Sequence, residues 1–308
     1  MNALIILFLT EFDGSENTVA TYKQTIRMFF RWMINNRRDA ANPTRADVTQ
    51  YKKQLQAKGH TAKTVDNYLN ALKSFFRWTS ERGHYENIAS HIRSNATTYE
   101  MLKEPLTITQ VQTLLNSCNT LTDTGTRNRA IIHLLYFCGL RVVEVSRLTF
   151  SDYHSDYLMI QGKGRITKEE VYLPQLAADA LKQYIACRKH NEGKIHPEAP
   201  LFISYAHNQK NKLIPVSKQT ISDMVRAQLI KAGLKTDKIS AHSLRHSIAI
   251  HMIDEGATLY DITQKLRHTD ANMSRIYTRY IEKKKVRENA AFAVVQSKFS
   301  QKTNALAL

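Results

Sequence analysis

Apolar residues recur along the first hundred positions at helical spacing. Tyr22, Ile26, Phe29, Phe30 and Met33 fall on one side of a helix, and Val65, Tyr68, Leu69, Leu72 and Phe76 on one side of another. Start signals precede these stripes: Ser15 as an N-cap before the first, Thr44 with Asp47 as a capping box before an intervening helix, and Thr61 before the last. Pro43 separates two of the helices, and Gly83 closes the last. The opening MNALIILFL is apolar, but it is too short to span a bilayer and lacks a basic start and a cleavage signal. It is expected to be a short helix docked on the core.

The periodicity lapses after residue 94. Residues 95–105 read as a linker ending in Pro105, which predicts one domain over 1–94 and a second over 106–308. The second domain opens with a helix led by Thr109, followed by an apolar helix over roughly 126–138. Two short β-rich runs then flank GKG and predict a hairpin with Lys163 at its tip. Further helices are expected near 175–190, 217–232, 242–255, 258–267, 270–280 and 282–296. The fold class is mostly α with a small β-sheet.

Charge changes the picture. The 308 residues hold 44 Lys and Arg against 27 Asp and Glu, a net +17, with an ordinary 43% hydrophobic content. Such a surplus points to a polyanionic partner, most often nucleic acid, rather than to a merely soluble basic protein. Residues 1–98 alone carry 14 basic against 8 acidic residues. Lys52, Lys53, Lys58, Lys63, Lys73 and Arg77 lie off the apolar stripes, where they suit contacts to a phosphate backbone. Cys118, Cys138 and Cys187 are odd in number and widely spaced, which fits neither a disulfide framework nor a zinc knuckle. A reducing cytoplasm is the expected location, with no membrane association.

Candidate chemistry gathers in the second half. HSLRH at 242–246 puts His242 and Arg245 three apart on a helix, hence on one face. Arg141 follows Cys138, Gly139 and Leu140, where a helix ends, and Glu144 three residues on can orient its guanidinium. His268 follows another helix, and Tyr277 and Tyr280 share a face further on. A zinc-protease reading of His242 and His246 fails because Ser243 stands where that motif needs Glu. Nothing marks Glu144, Asp152 and Asp156 as the carboxylate cluster of a metal-dependent transposase.

These boxes, in this order, resemble the tyrosine recombinases, the phage-integrase-like site-specific recombinases. CGLRVVEVSRLTF resembles their first-Arg box, GKG their hairpin Lys, HSLRH their His-x-x-Arg box and LRHTDANMSRIYTRY their His-and-Tyr box. LIILFLTEFDGSENTVATYKQTIRMFFRW is similar to the SAM-like core-binding domain of the small bacterial members. The resemblance implies a mixed α/β catalytic domain and a DNA strand exchange through a 3′-phosphotyrosyl link and a Holliday junction. Tyr277, nine residues after His268, matches the nucleophile's spacing, whereas Tyr280 does not. Arg141, Arg245, His242 and His268 would hold the phosphate, Lys163 would protonate the leaving oxygen, and cations around Tyr277 would favour its ionised form. No metal or other cofactor is implied, because the covalent link conserves the bond energy.

The implied partners are double-stranded DNA with specific inverted-repeat sites and three further copies of the chain, a homotetramer on two DNA sites. Val286, Ala290, Ala293, Val294 and Phe299 would give the last helix an apolar face for a neighbouring copy. Nothing before residue 1 provides the extra arm-binding domain of some phage integrases, so a two-domain protein is expected. The biological tasks open to it are integration or excision of a mobile element, cointegrate resolution, inversion, and chromosome or plasmid dimer resolution. Type IB topoisomerases resemble the same residue set, and a serine recombinase would instead need an N-terminal catalytic domain. The rival of another class is an inactive DNA-binding structural or regulatory protein of the same fold. One position departs from the family: Arg267 replaces the usual Gly before His268, which in a left-handed conformation costs about 1 kcal/mol.

Overall fold

The computed structural model describes residues 2–93, 104–162, 167–205, 214–267, 276–286 and 289. The chain divides into two compact units, Met1–Thr98 and Tyr99–Leu308.

The first unit is helical. It comprises α1 (Asn2–Glu11), α2 (Glu16–Asn35), α3 (Arg45–Ala57) and α4 (Ala62–Glu81). Ser15, Thr44 and Thr61 are the N-caps of α2, α3 and α4, and Thr44 and Asp47 close a capping box. The aromatic stripes meet: Phe29, Phe30, Phe75 and Phe76 are buried and pack edge to face with ring centroids 5.2 to 6.0 Å apart, except for the tilted pair Phe30–Phe76 at 6.3 Å. The apolar N-terminus is a docked helix, burying Ile5 and Phe8. Glu11 at its end accepts from the Trp78 indole at 3.0 Å.

The second unit holds α5 (Ile108–Asn116), α6 (Asp123–Phe137), α7 (Val142–Ser146), a 3-10 turn (Phe150–Asp152), and the strands β1 (Tyr157–Gln161) and β2 (Lys168–Tyr172). After the strands come α8 (Gln175–Glu192), α9 (Lys218–Lys231), α10 (Ala241–Asp254) and α11 (Leu259–Leu266). α6 and α10 are buried on nearly every side and form the centre of the unit, as expected of helices without a polar face. The strands pair antiparallel with Leu158 opposite Val171 and Ile160 opposite Glu169, so the inward face of the hairpin is apolar except at Glu169. Lys163 lies in the connection, outside the described residues.

Three details differ from the sequence reading. α5 starts two residues earlier than expected. Thr107 is its N-cap, because Gln110 at the third helical position returns a bond to the Thr107 N–H and completes a capping box. The short helix α7 was hidden in a segment too brief for periodicity to show. The break expected between 280 and 282 is absent. Residues 276–286 are one continuous helix, since Tyr277, Tyr280, Ile281 and Lys284 all turn the same face to α10 and its end. Residues 95–103 of the expected linker at 95–105 and the apolar positions from Ala290 to Phe299 lie outside the described residues, and Val286 is exposed. No helix among the described residues is long and apolar enough to cross a membrane.

Candidate active site

The site is built around a single guanidinium. Arg245 projects from the first turns of α10, whose N-cap is Ser240, and is buried to 2% exposure. It donates to the carbonyls of Gly139 and Leu266, so one side chain joins three segments far apart in sequence. Each segment delivers a further residue. Gly139 lies two before Arg141, and Leu266 lies just before Arg267.

Gly139 makes the first junction possible. It takes φ +60° at the end of α6, and a Cβ there would meet the Leu266 Cδ2 at 2.9 Å. The chain then turns and Arg141 caps α7. Glu144, fully buried, accepts from the Arg141 backbone N–H at 2.7 Å and from its guanidinium at 2.8 Å. The other guanidinium on Glu144 is that of Arg267, which donates to its second oxygen at 2.8 Å. Burial pushes the Glu144 carboxyl up, but the charge of Arg267 and the bonds from Arg141 outweigh it and hold the group below the usual carboxylate range. Arg267 does adopt the left-handed conformation expected of that position, with φ +51°.

Burial and the charges of Arg141 and Arg267 lower Arg245 to about 9, so it remains a cation at neutral pH. Arg141 keeps a quarter of its side chain exposed, while Arg245 works from within.

On the same helix His242 is exposed in the first turn and His246 is buried, their rings perpendicular with centroids 4.7 Å apart. His246 Nδ1 is hydrogen-bonded to the Tyr277 hydroxyl at 2.8 Å. Tyr277 is 1% exposed, among Ile250, Ile253, Ile262 and Leu266. Its phenol is pushed up from the ordinary tyrosine value by burial, with only partial opposition from Arg245. This corrects the expectation that surrounding cations favour the phenolate: burial outweighs the charge of Arg245. Tyr280 differs, since its hydroxyl reaches the Asp254 carboxylate at 3.3 Å on the exposed side.

Of the predicted site residues, then, Arg141, Glu144, His242, Arg245 and Tyr277 are brought together, and Lys163 and His268 lie outside the described residues. His246 was weighed only as a metal ligand, and its place four residues after His242 was the signal that it shares that face. Asp152 is no part of the cluster; it caps the 3-10 turn and pairs with Lys168 at 2.5 Å. Among the described residues no three His, Cys, Asp or Glu side chains gather so as to hold a metal ion. In the first unit Lys53, Lys63 and Arg77 are exposed, whereas Lys52 and Lys73 are half-buried, and Lys52 donates to the Arg93 carbonyl at 2.7 Å.

Residues 104–284 match the phage integrase family, and residues 8–84 match the phage integrase N-terminal SAM-like domain. The chain belongs to the phage integrase family. It is similar to the tyrosine recombinase XerD of Halalkalibacterium halodurans, 29% identical over 89% of this chain and 90% of the relative. It is also similar to the tyrosine recombinase XerA of Pyrococcus furiosus, 27% identical over 85% of each chain. Among solved structures, its fold is similar to that of the XerH site-specific recombinase in a post-cleavage complex with a palindromic difH substrate. The TM-score is 0.68 at 22% identity, covering 89% of this chain and 79% of that one. A lambda integrase tetramer bound to a Holliday junction is similar in fold at a TM-score of 0.65 and 16% identity, over 89% of this chain and 76% of that one.

Proposed function

We propose that this member of the phage integrase family is a site-specific recombinase that cuts and rejoins DNA through a covalent bond to Tyr277. The observation that carries the reading is the convergence on Arg245, one guanidinium tying together the segments that bear Arg141, Arg267 and, through His246, Tyr277. In this reading the Tyr277 oxygen attacks the scissile phosphorus and forms a 3′-phosphotyrosyl bond, and the bond to the 5′-oxygen breaks. Arg141 and Arg245, with His242 and His268, carry the charge that develops on the non-bridging oxygens. Lys163 gives its proton to the departing 5′-oxygen. The phenol proton passes to the His246 ring, whose Nδ1 shares a hydrogen bond with the Tyr277 hydroxyl at 2.8 Å and accepts from it in the tautomer that leaves Nδ1 bare. A 5′-hydroxyl from the partner duplex then attacks the phosphotyrosine, which needs neither metal nor ATP.

Tyr277 is turned inward, its hydroxyl on His246 Nδ1, so attack on a phosphate requires the helix 276–286 to re-seat. Residues 1–94 and 106–308 both contact the duplex, the first unit contributing Lys52, Lys53, Lys63, Lys73 and Arg77. Four copies act on two inverted-repeat sites, because exchange needs four cut strands. The setting is a reducing cytoplasm, consistent with three cysteines that are all free thiols. The biological task is element integration or excision, or resolution of DNA dimers or cointegrates. Kinship with XerD-type relatives along nearly the whole chain supports this range. A duplex nicked beside the cleavage point provides the test. A covalent protein–DNA species that survives denaturation is expected, and a gel shift without one would make the protein an inactive DNA binder instead.

A further inference from the structure

Arg267 sits where its backbone is least at ease, a left-handed position that glycine occupies most readily, and yet its side chain is only 9% exposed. The buried side chain explains why an arginine is kept there. Its guanidinium meets two carboxylates from two different elements, Glu144 on α7 at 2.8 Å and Glu169 on β2 at 3.2 Å. Glu169 is the polar exception on the inward face of the hairpin, opposite Ile160. The two limbs differ in kind. The Glu144 limb is a charge-assisted hydrogen bond, whereas the Nε on the Glu169 side lies at ion-pair distance without hydrogen-bond alignment.

We propose that Arg267 is a positioning residue that couples the β1–β2 hairpin to the Arg141–Glu144 pair, so that the strand leading to Lys163 and the phosphate-holding arginine take up their working positions together. The inference rests on the recombinase reading of this site. A planar fork suits this task, because it can face one carboxylate and reach a second. Leu266, next in the chain, is fixed by Arg245 at the same time, so the end of α11 is held from both sides. Without Arg267, Glu144 would keep Arg141 alone and Glu169 would lose this bridge to the pair.

The experiment is single-turnover cleavage of a nicked suicide duplex at saturating DNA, with the full chain and the variants Arg267→Gly, Arg267→Lys and Glu169→Gln, alongside melting temperatures and DNA affinities. If Arg267 acted only through its backbone, Gly would equal or exceed Arg and Lys would match Arg, since both carry a Cβ. The coupling predicts the order Arg, then Lys, then Gly, with Arg267→Gly slowed about tenfold, the scale seen when a group that orients a working residue is removed. Affinities should be unchanged. Glu169→Gln should slow cleavage of a normal 5′-oxygen link and recover on a 5′-bridging phosphorothiolate, whose sulfur leaves without a proton. Covalent trapping by the wild type with equal or faster rates in Arg267→Gly would overturn the coupling and leave the recombinase reading intact. No trapping by the wild type would overturn both. If Arg267→Gly does not fold, Glu169→Gln decides alone: a deficit erased by sulfur supports the coupling, and full activity on both substrates contradicts it.

Discussion

Glu144 lies between two guanidiniums and is wholly buried, so its charge has consequences that can be measured. Its carboxyl titrates lower in the folded chain than its ordinary value of 4.5. A group depressed on folding adds stability above its unfolded value and loses it as pH falls through the folded one. Glu144→Gln should therefore be less stable than the wild type at pH 7, by about 2 kcal/mol or more, since two cations lose a buried partner. The gap should close as pH drops below 4.5. Thermal melts at several pH values would show it, and a gap independent of pH would mean that the carboxylate is not what Arg141 and Arg267 require. Tyr277 tests the neighbouring side of the site. Removing its hydroxyl in Tyr277→Phe frees His246 Nδ1 from a buried hydrogen bond and should cost about 1 kcal/mol in chemical denaturation.

At the level of elements, Gly139 shows how a helix end positions chemistry. Gly139→Ala adds a Cβ in a left-handed position and against Leu266, whose carbonyl also receives Arg245. A loss of about 1 to 3 kcal/mol in stability is expected. Cleavage should fall further than stability does, because the Gly139 carbonyl that anchors Arg245 moves with it. Loss of stability with unchanged cleavage would separate the turn from the site. The elements also show what periodicity can reach. Caps at Ser15, Thr44 and Thr61, the aromatic stripes and the pair of strands on either side of GKG were legible because each is local, set by residues close in sequence. The pair Arg141 and Glu144 was legible for the same reason, being three residues apart. What joins Gly139, Arg245, Leu266 and Arg267 was not, since these contacts span more than twenty residues and depend on how α10 packs. The inward turn of Tyr277 was equally hidden, because burial and cation charge pull a phenol in opposite directions and sequence spacing does not say which prevails.

For the molecule as a whole, the surplus of +17 predicts binding that weakens steeply with salt. The slope of log affinity against log salt should fall by about one for each phosphate-contacting cation removed, so Lys53→Ala and Arg77→Ala offer a direct count. An unchanged slope would take those residues off the duplex. Deleting residues 287–308 leaves the helix 276–286 and its Lys284 contacts to the end of α10 in place. Single-site binding and cleavage should survive, while pairing of two sites and recombination should fail if that segment docks on a neighbouring copy. Recombination at the full rate would refute such docking. Strand exchange turns on one bond, and mass spectrometry of the complex trapped on a nicked suicide duplex reads it directly. The predicted result is a nucleotide adduct on Tyr277, lost in Tyr277→Phe although that variant still binds DNA. An adduct on Tyr280, or a wild type that binds the duplex and never becomes linked to it, would contradict the account.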